Sequence, residues 1–414
     1  MTLNRPKDCN YKTLEISTCS PTQYWVYSEN AFFEENVLAH RILHIQKITG
    51  ISGSENHLID LMSKLDRKRF EPIFLGLVEP DNRVDDYFDI LESRSVKGER
   101  IEIRSHLDLS CLMKIVRFIK NGNYDIVHTH LIHGDIYGIL AAVMAGAPHI
   151  VSSKHGYDNY DSTSHFYKIN GLLSPFVERV ITISDALKEK VNKSDMIPKR
   201  KMVTVHYGLD WEGYLKKSTA AGEKVRKELN IKKGTFTFAS VGRLVDVKGY
   251  PYLIEAAARL KQDGYKDFAV LVMGDGPLRE ELTEKAEDMG VGGEVRFLGR
   301  REDVSSILSV SDAFVLPTLG EGFGLVLLEA MAHRLPVVST ATMSIPEIVV
   351  EGETGLLVQP KDSEGLYKAM GRLMKERAAS KKMGKAGFER LKEKFTILEM
   401  VRKTEEIYAE VLGI

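Results

Sequence analysis

The sequence predicts an α/β protein with two parallel-sheet domains that face each other across a cleft. Short β-rich segments alternate with longer helical segments from Arg41 onward. A polar stretch from Lys216 to Lys233, rich in Lys, Glu, Ala and Gly, interrupts the alternation, which then starts again. This alternation is typical of βαβ units with a parallel sheet. Because ligands bind at the carboxyl ends of such strands, we expect functional residues to follow strands directly.

The first series predicts a Rossmann-like domain over residues 41–215. Its segments are, in order, RILHIQKI, ENHLIDLMSKL, PIFLGLV, LSCLMKIVRFIK, YDIVHTH, DIYGILAAVMAG, HIVSSKHG, VERVITIS, DALKEKV and MVTVHYGLD. Residues 1–40 are polar with scattered aromatic residues and show no clear period, so we treat them as an N-terminal extension of unknown role.

The second series predicts a similar domain over residues 216–395. Its segments are TFTFASVG, PYLIEAAARLKQDG, DFAVLVMGDG, PLREELTEKAEDMG, VRFLG, DVSSILSVS, AFVLPT, GLVLLEAMAHR, PVVST, GLLVQP and SEGLYKAMGRLMKERAA. Residues 396–414 have helical spacing and are expected to form a last helix that docks across both domains.

The composition is that of an ordinary globular protein, with 43% apolar and 28% charged residues among 414. A formal net charge of -1 gives no reason to expect a nucleic-acid partner. Cys9, Cys19 and Cys111 resemble neither a disulfide framework nor a metal site, so we expect a cytoplasmic setting. We also expect no signal peptide and no membrane span, because no apolar run is long enough.

Two cations follow the strand segment TFTFASVG. Arg243 and Lys248 lie in the loop RLVDVKGYP, and Pro251 suits the first turn of the next helix. Fixed cations at the carboxyl end of a strand are well placed to bind a phosphate. The alternative is a pair of solvated surface charges.

Two glutamates belong to the segment EGFGLVLLEAM. Glu329 is the one residue that is not apolar between Leu325 and Met331, so it needs a polar partner on a helix that should be buried. Glu321 lies among Gly320, Gly322 and Gly324, in a loop whose backbone can approach a ligand closely. Their spacing does not suit an acid and base acting on one bond, so each is expected to bind hydroxyl groups at different points of a polyhydroxylated ligand. Alternatively, Glu329 pairs with a core arginine such as Arg334.

The segments VGRL…KG, GDGP, FLGR, EGFGLVLLEA, PVVST and PEIVVEGETGLLV occur in an order that resembles the retaining GT-B glycosyltransferases of family 4, also called glycosyl transferases group 1. The resemblance covers residues 41 to 395 or so, and the family's two glutamates have the separation of Glu321 and Glu329. It implies a GT-B architecture. It also implies an enzyme that transfers a sugar from a nucleotide-sugar, a UDP- or GDP-sugar above all, to an acceptor hydroxyl with retention of anomeric configuration.

The resemblance also assigns roles to residues. Arg243 and Lys248 would hold the diphosphate, Glu321 would lie against the transferred sugar, and Glu329 would accept hydrogen bonds from the ribose. His155 would contact the donor sugar and approach the acceptor. Further donor-binding positions would be Gly53, Gly274, Gly276, Arg300, Gly322, Phe323 and Gly324. The glycines of the GDGP segment could instead only shape turns between strands and helices.

Three positions depart from the family pattern. Ser52 stands in place of the first glycine of the usual pair before Gly53, and Tyr207 stands where relatives usually have Asn. The segment TATMSIPEIV lacks the Gly-Gly that commonly precedes Pro-Glu. We expect these departures to affect substrate fit more than the class of reaction.

We expect neither a cofactor nor a metal ion. The sequence contains no Asp-x-Asp, the pattern by which another class of glycosyltransferase holds a divalent cation. His128 and His130 share one face of a strand and could suggest a metal site, but no acidic or Cys residue accompanies them at ligand spacing. The alternative is that both are hydrogen-bonded within the protein.

Two other functions are compatible with this architecture and this site. A nucleotide-sugar epimerase would eliminate the nucleotide without an acceptor, and a non-catalytic protein would only bind the sugar nucleotide. The acceptor itself, whether a sugar, a lipid-linked molecule or a small molecule, is not encoded in a motif. Lys114, Arg117 and Lys120 lie at helical spacing beside apolar residues, which suits either a peripheral contact with the inner face of an anionic membrane or a solvated face.

Overall fold

The structure, a computed structural model, describes residues 39–105, 107–156, 165–216 and 222–414. Within these residues it contains one parallel sheet of seven strands and one of six, which confirms the predicted α/β class. The predicted N-terminal extension, residues 1–40, lies outside the described residues except for its last two.

The first sheet has the strand order β3-β2-β1-β4-β5-β6-β7. Its strands are β1 His40–Lys47, β2 Phe70–Val78, β3 Lys97–Glu102, β4 Ile126–His130, β5 His149–Lys154, β6 Arg179–Thr182 and β7 Met202–Thr204. Its helices are α1 Gly53–Lys64, α2 Asp85–Ser93, α3 Leu109–Gly122, α4 Leu131–Ala145, α5 His165–Leu173 and α6 Asp185–Ser194. Since βαβ crossovers are right-handed, the reversal of strand order between β1 and β4 places α1 and α2 on one face of the sheet and α3 to α6 on the other.

The second sheet has the order β10-β9-β8-β11-β12-β13, with the same reversal between β8 and β11. Its strands are β8 Phe236–Val241, β9 Phe268–Met273, β10 Val295–Gly299, β11 Ala313–Leu316, β12 Val337–Thr340 and β13 Gly355–Val358. The accompanying helices are α7 Trp211–Lys216, α8 Gly222–Glu228, α9 Tyr250–Gln262, α10 Arg279–Asp288, α11 Val304–Ser309, α12 Leu325–Ala332, α13 Ile345–Ile348 and α14 Ser363–Lys375. Ligands of such sheets bind at this reversal, outside the carboxyl ends of the strands.

Two helices complete the chain, α15 Arg377–Lys394 and α16 Ile397–Leu412. Helix α15 packs against α12 of the second domain, whereas α16 packs against α1 of the first. The predicted segment SEGLYKAMGRLMKERAA runs to residue 379, but helix α14 ends at Lys375 and the chain bends at Glu376, where φ is -100° and ψ is 51°. The predicted domain boundaries themselves stay a prediction.

Candidate active site

A cleft lies at the carboxyl ends of the strands of both sheets. It includes a cavity of about 600 Å³. The first domain contributes the loop from Thr49 to Ser52 and the start of α4, and the second contributes Arg243 and Arg300. Two of the predicted donor-binding residues therefore face the first domain across a space large enough for part of a nucleotide-sugar.

Arg243 follows strand β8 in a loop that the GDGP segment holds in place. The amide of Gly242 donates a hydrogen bond to the Met273 carbonyl at 3.0 Å, and the amide of Leu244 donates to the Asp275 carbonyl at 3.0 Å. A Cβ on Gly274, whose φ is 133°, would lie 2.0 Å from the Gly242 carbonyl oxygen. A Cβ on Gly276 would lie 2.5 Å from the Leu244 carbonyl oxygen. Both glycines are thus required for the backbone to hold the Arg243 loop.

Lys248 closes the same loop. It ends a short 3-10 turn, Asp246–Lys248, and Gly249 then starts helix α9 with a φ of 67°. The Lys248 ammonium lies 2.5 Å from the Glu321 carboxylate, and both side chains are partly exposed. The structure therefore brings the predicted phosphate-binding cation into contact with the predicted sugar-binding carboxylate.

The glycine-rich loop before α12 lies against the first domain. A Cβ on Gly322 would lie 3.1 Å from Gly156 Cα and 3.2 Å from the His155 carbonyl oxygen. Ser184 of the first domain donates a hydrogen bond to the Gly322 carbonyl at 3.1 Å. Gly324 begins α12 with a φ of 92°, a conformation that favours glycine. His155 therefore lies beside the loop that carries Glu321.

Phe323 has a different position from its neighbours. Only 2% of its surface is exposed, and its ring packs against His206, Tyr207 and Phe395. Because the ring is enclosed by protein, any contact of Phe323 with a donor would involve its backbone.

Glu329 has a polar partner that sequence reasoning missed. The hydroxyl of Tyr214, in α7, donates a hydrogen bond to the Glu329 carboxylate at 3.1 Å. Burial and the neighbouring carboxylate raise the pKa of Tyr214 above its usual value, so this hydroxyl stays a donor. Arg334, the alternative partner, lies over the ring of Phe388 at 4.2 Å from its centroid.

The start of α1 explains the departure at Ser52. The backbone amide of Ser52 donates a hydrogen bond to the Glu55 carboxylate at 3.1 Å, as in a capping box. The side-chain amide of Gln46 donates to the other Glu55 carboxylate oxygen at 2.6 Å. Gly53 is the first residue of the helix, and a Cβ there would lie 3.5 Å from Leu325. Ser52 therefore supplies a helix cap at the position where the family usually has glycine.

His155 belongs to a hydrogen-bonded chain of side chains. Its Nδ1 lies 2.6 Å from the Tyr207 hydroxyl, and its Nε2 lies 2.9 Å from His130 Nδ1. His130 Nε2 lies 3.0 Å from His44 Nδ1. Both ring nitrogens of His155 are thus occupied by the protein in this state, and Tyr207, the second departure from the family pattern, holds one of them.

The histidines of this hydrogen-bonded network are held in the neutral form. Burial, followed by the charge of Lys154, lowers the pKa of His155 to about 3. Burial, followed by the charge of Arg67, lowers the pKa of His44 to about 3 as well. Burial also lowers the pKa of His128 and His130 well below the usual value. A neutral imidazole has one donor and one acceptor nitrogen, which suits a chain of this kind.

Among the described residues, His44, His128 and His130 form one of two groups of side chains close enough to share a metal ion. Both nitrogens of His128 are already hydrogen-bonded, Nδ1 to Tyr408 at 2.7 Å and Nε2 to Ser153 at 2.8 Å. A metal ion would have to displace these partners, so the arrangement is that of hydrogen-bonded core histidines.

Comparison with known families matches both halves of the chain. The model of glycosyltransferase family 4 matches residues 51–212, and the model of glycosyl transferases group 1 matches residues 222–390. The chain belongs to these glycosyltransferases.

Similar proteins cover most of this glycosyltransferase. The UDP-Gal:alpha-D-GlcNAc-diphosphoundecaprenol alpha-1,3-galactosyltransferase of Escherichia coli is 27% identical over 380 residues, which cover 90% of this chain and 97% of that protein. The N-acetyl-alpha-D-glucosaminyl L-malate synthase of Bacillus anthracis is 28% identical over 74% of this chain and 80% of that protein. Anabaena Alr3699/HepE, solved in complex with UDP-glucose, superposes with a TM-score of 0.77 at 20% identity, over 89% of this chain and 99% of that one. This superposition confirms the GT-B fold.

The second group that could share a metal ion joins the two domains of the glycosyltransferase. It consists of Asp185, His206 and Glu347. The Glu347 carboxylate accepts hydrogen bonds from the backbone amides of Asp185 and Ala186, at the start of α6, at 2.9 and 2.8 Å. His206 Nε2 lies 2.8 Å from the same carboxylate. Glu347, in the PEIVV segment, thus caps a helix of the other domain.

Among the described residues, no helix combines the length and the apolar character needed to cross a membrane.

Proposed function

We propose that the enzyme transfers a hexose from a UDP-sugar to an acceptor hydroxyl with retention of anomeric configuration, in the synthesis of a polysaccharide, glycolipid or glycoconjugate. The observation that carries this proposal is the arrangement after strand β8. Arg243 borders the cleft, and Lys248 of the same loop pairs with Glu321 at 2.5 Å. Cations and a carboxylate together suit a ligand that combines a diphosphate with a sugar.

The choice of UDP over GDP rests on the relatives. Alr3699/HepE was solved with UDP-glucose, and the name of the Escherichia coli relative specifies UDP-Gal as its donor. Glu329 would bind the ribose hydroxyls, while Arg300 and the GDGP turn would lie near the nucleoside.

Electrostatic stabilisation of the leaving group would drive the reaction. As the bond from the anomeric carbon to the diphosphate breaks, negative charge gathers on the departing UDP. Preorganised cations in a cleft that excludes water stabilise this charge. Arg243 can bind two phosphate oxygens at once with its planar guanidinium, whereas Lys248 would bridge the phosphate and Glu321 as a point charge. We therefore expect no metal ion to be required.

Retention would follow from attack on the face that the diphosphate leaves. The acceptor oxygen forms the new bond to the anomeric carbon, and its proton passes to a departing phosphate oxygen. Glu321 and Glu329 have different partners, Lys248 and Tyr214. This separation supports individual binding roles for the two carboxylates and disfavours a paired acid and base.

A lipid-linked acceptor has the better support. Of the two relatives described above, the one with the longer match acts, by its name, on a diphosphoundecaprenol, whereas L-malate is named for the one with the shorter match. An epimerase and a non-catalytic binding protein are not favoured, because both relatives are named for transfer or synthesis.

Ligand binding and product analysis test the donor and the stereochemistry. We expect UDP to raise the melting temperature more than GDP or ADP, since a ligand at 100 times its Kd adds about 2.7 kcal/mol to the free energy of unfolding. NMR of the first product formed should show the anomer of the donor. An inverted first product would contradict retention, and equal shifts with all three nucleotides would contradict UDP specificity.

Metal chelation combined with two substitutions tests the proposed mechanism. We expect activity to persist in excess EDTA, and Arg243→Ala and Lys248→Ala each to lower kcat by about 100-fold, the effect of removing one preorganised transition-state contact. Arg259→Ala and Lys261→Ala, which remove ion-paired cations elsewhere in this domain, serve as matched controls. Activity that EDTA abolishes and Mg²⁺ or Mn²⁺ restores, with near-normal Arg243 and Lys248 variants, would overturn the mechanism.

A further inference from the structure

The outer surface of α3 and the residues just before it combine exposed apolar side chains with positive charge. Leu107 is 91% exposed, Leu109 is 76% exposed and Met113 is 43% exposed. The cations Lys114, Arg117 and Lys120 are exposed on the same helix, which contains no Asp or Glu. We call Leu107, Leu109, Met113 and these three cations the α3 surface.

The fold fixes the direction of this surface. The opposite side of α3 is buried in the first domain through Cys111, Ile115, Val116 and Ile119. Asp108 anchors the start of the helix: its carboxylate accepts hydrogen bonds from the Arg104 and Cys111 amides at 3.0 and 2.9 Å. The Asp108 amide in turn lies 2.6 Å from the Tyr137 hydroxyl. Leu107 and Leu109 therefore flank an anchored residue and still face solvent.

Exposed apolar residues are concentrated on this side of the molecule. Eight of the thirteen large apolar side chains that are exposed among the described residues belong to α3, α4, α5 or the segments that adjoin them. They are Leu107, Leu109, Met113, Leu140, Val143, Met144, Leu172 and Phe176. These helices cover one face of the first sheet, so the apolar side chains occupy one side of the domain, whereas scattered single residues would need no explanation.

A polar cavity adjoins the α3 surface. It has a volume of about 420 Å³, and its polar lining consists of Lys47, Glu79, Asp81, Arg104, Ser105 and His133. Lys47 and His133 also line the cleft between the domains, so the two spaces adjoin each other. Ser105 lies only two positions before Leu107, at most ~8 Å apart along the backbone. A polar space of balanced charge, in which Lys47 is ion-paired with Glu79 at 2.8 Å, thus opens beside Leu107.

We propose that the α3 surface docks on an anionic lipid bilayer and so brings the adjoining cavity to the polar head of a lipid-linked acceptor. This inference rests on the proposed function for its acceptor. The leucines and Met113 enter the boundary between head groups and acyl chains, while the cations are attracted to anionic lipids. A protein partner fits less well, because the cores of protein interfaces are depleted of lysine.

Vesicle binding by the full chain tests the docking surface. The probes are unilamellar vesicles of phosphatidylcholine alone and of phosphatidylcholine mixed with phosphatidylglycerol in equal parts. We expect binding only to the mixed vesicles, weaker in high salt because screening reduces the attraction. The double variant Leu107→Ser/Leu109→Ser should bind them at least about tenfold more weakly. Leu398→Ser, which changes a leucine on α16 that is 68% exposed, serves as the matched control.

Donor hydrolysis without vesicles separates this proposal from the proposed function, because it reports the catalytic site alone. We expect the double variant to hydrolyse UDP-sugar at the normal rate. Absence of binding to mixed vesicles, or equal binding by the wild type and the double variant, would overturn the docking proposal and leave the proposed function intact. Concentration-dependent self-association that the double variant loses would instead identify the surface as an interface between copies of the chain.

Discussion

Glu329 belongs to an otherwise apolar helix, and Tyr214 donates a hydrogen bond to it at 3.1 Å. If it also binds the ribose, the contact exists in both the ground state and the transition state. We therefore expect Glu329→Gln to raise the donor KM by about tenfold or more while kcat changes little. Tyr214→Phe, which keeps the carboxylate, should affect KM less. Steady-state kinetics with a normal KM and a collapsed kcat would contradict the ribose assignment.

The need for a partner of Glu329 could be predicted from the sequence, but Tyr214 could not. The two residues are 115 positions apart, and Tyr214 lies in the segment that joins the two domains. Periodicity identifies a carboxylate on an apolar helix, whereas its partner depends on how two helices pack. The same limit applies to His44. His44 lies opposite His128 because of the register of the parallel strands β1 and β4, and one sequence does not specify that register.

The buried histidines predict a dependence of stability on pH. His44, His128 and His130 are 0% exposed, and burial lowers the pKa of each. In the unfolded chain their pKa would return to about 6.5, so the unfolded state binds more protons as the pH falls below that value. The free energy of unfolding should therefore fall with pH below about 6.5, by about 1.4 kcal/mol per pH unit for each such histidine.

Urea unfolding at pH 7 and pH 5.5 measures this dependence. His44→Asn removes one titrating group, and its amide can still hydrogen-bond to His130. We expect the free energy of unfolding of this variant to fall less on acidification, by the contribution of one proton. Equal losses in the wild type and the variant would show that His44 does not titrate on unfolding.

At the scale of elements, the turns after β8 and β9 pack backbone against backbone. A Cβ on Gly276 would lie 2.5 Å from the Leu244 carbonyl oxygen and 2.7 Å from its amide nitrogen. We expect Gly276→Ala to displace the loop that carries Arg243, lower the free energy of unfolding by about 1–3 kcal/mol and weaken donor binding. Gly293→Ala is the matched control, since a Cβ there meets nothing within 4 Å. Thermal unfolding and donor titration of both variants test this, and similar values would contradict it.

The alternation of strands and helices was predictable because buried parallel strands and their covering helices have distinct periods. Several elements, among them α2, β3, α5 and α15, were not predicted, and neither was the cap of α1. The sequence marks Ser52 only as a departure from a glycine, whereas the structure uses its amide and Glu55 to cap α1. Helix α15 contains Gly384 and Gly387, which weaken a helical pattern. At Gly384 a Cβ would lie 1.9 Å from the Arg334 carbonyl oxygen, so packing against the second domain requires this glycine.

At the scale of the whole molecule, the predicted pair of parallel-sheet domains is confirmed, but the contacts between them could not be predicted. The chain returns to the first domain through α16, where the Tyr408 hydroxyl lies 2.7 Å from His128 Nδ1, 280 positions earlier. Glu347 meets α6 across 161 positions or more. Such contacts depend on the relative placement of two separately folded sheets, which local patterns do not encode.

The contact of Glu347 with α6 yields a prediction about domain closure. Its carboxylate accepts two backbone amides and His206, and the positive end of the α6 helix dipole favours a negative charge there. Glu347→Ala would remove the acceptor of both amides and the charge that the helix dipole favours, at a cost of about 1–2 kcal/mol in total, because Asp185 is exposed and water can replace part of the contact. The closed arrangement, in which Gly322 lies against His155, should therefore be populated less.

Because closure brings the Glu321 loop against the first domain, we expect Glu347→Ala to lower kcat/KM by about tenfold or more and to increase the radius of gyration in solution scattering. Saturating UDP should restore part of the compaction, since a ligand that contacts both domains favours the closed state. Glu364→Ala, which removes a carboxylate from an exposed ion pair within α14, serves as the control. Unchanged scattering and kinetics in Glu347→Ala would mean that other contacts, Phe323 with Tyr207 among them, suffice to hold the domains together.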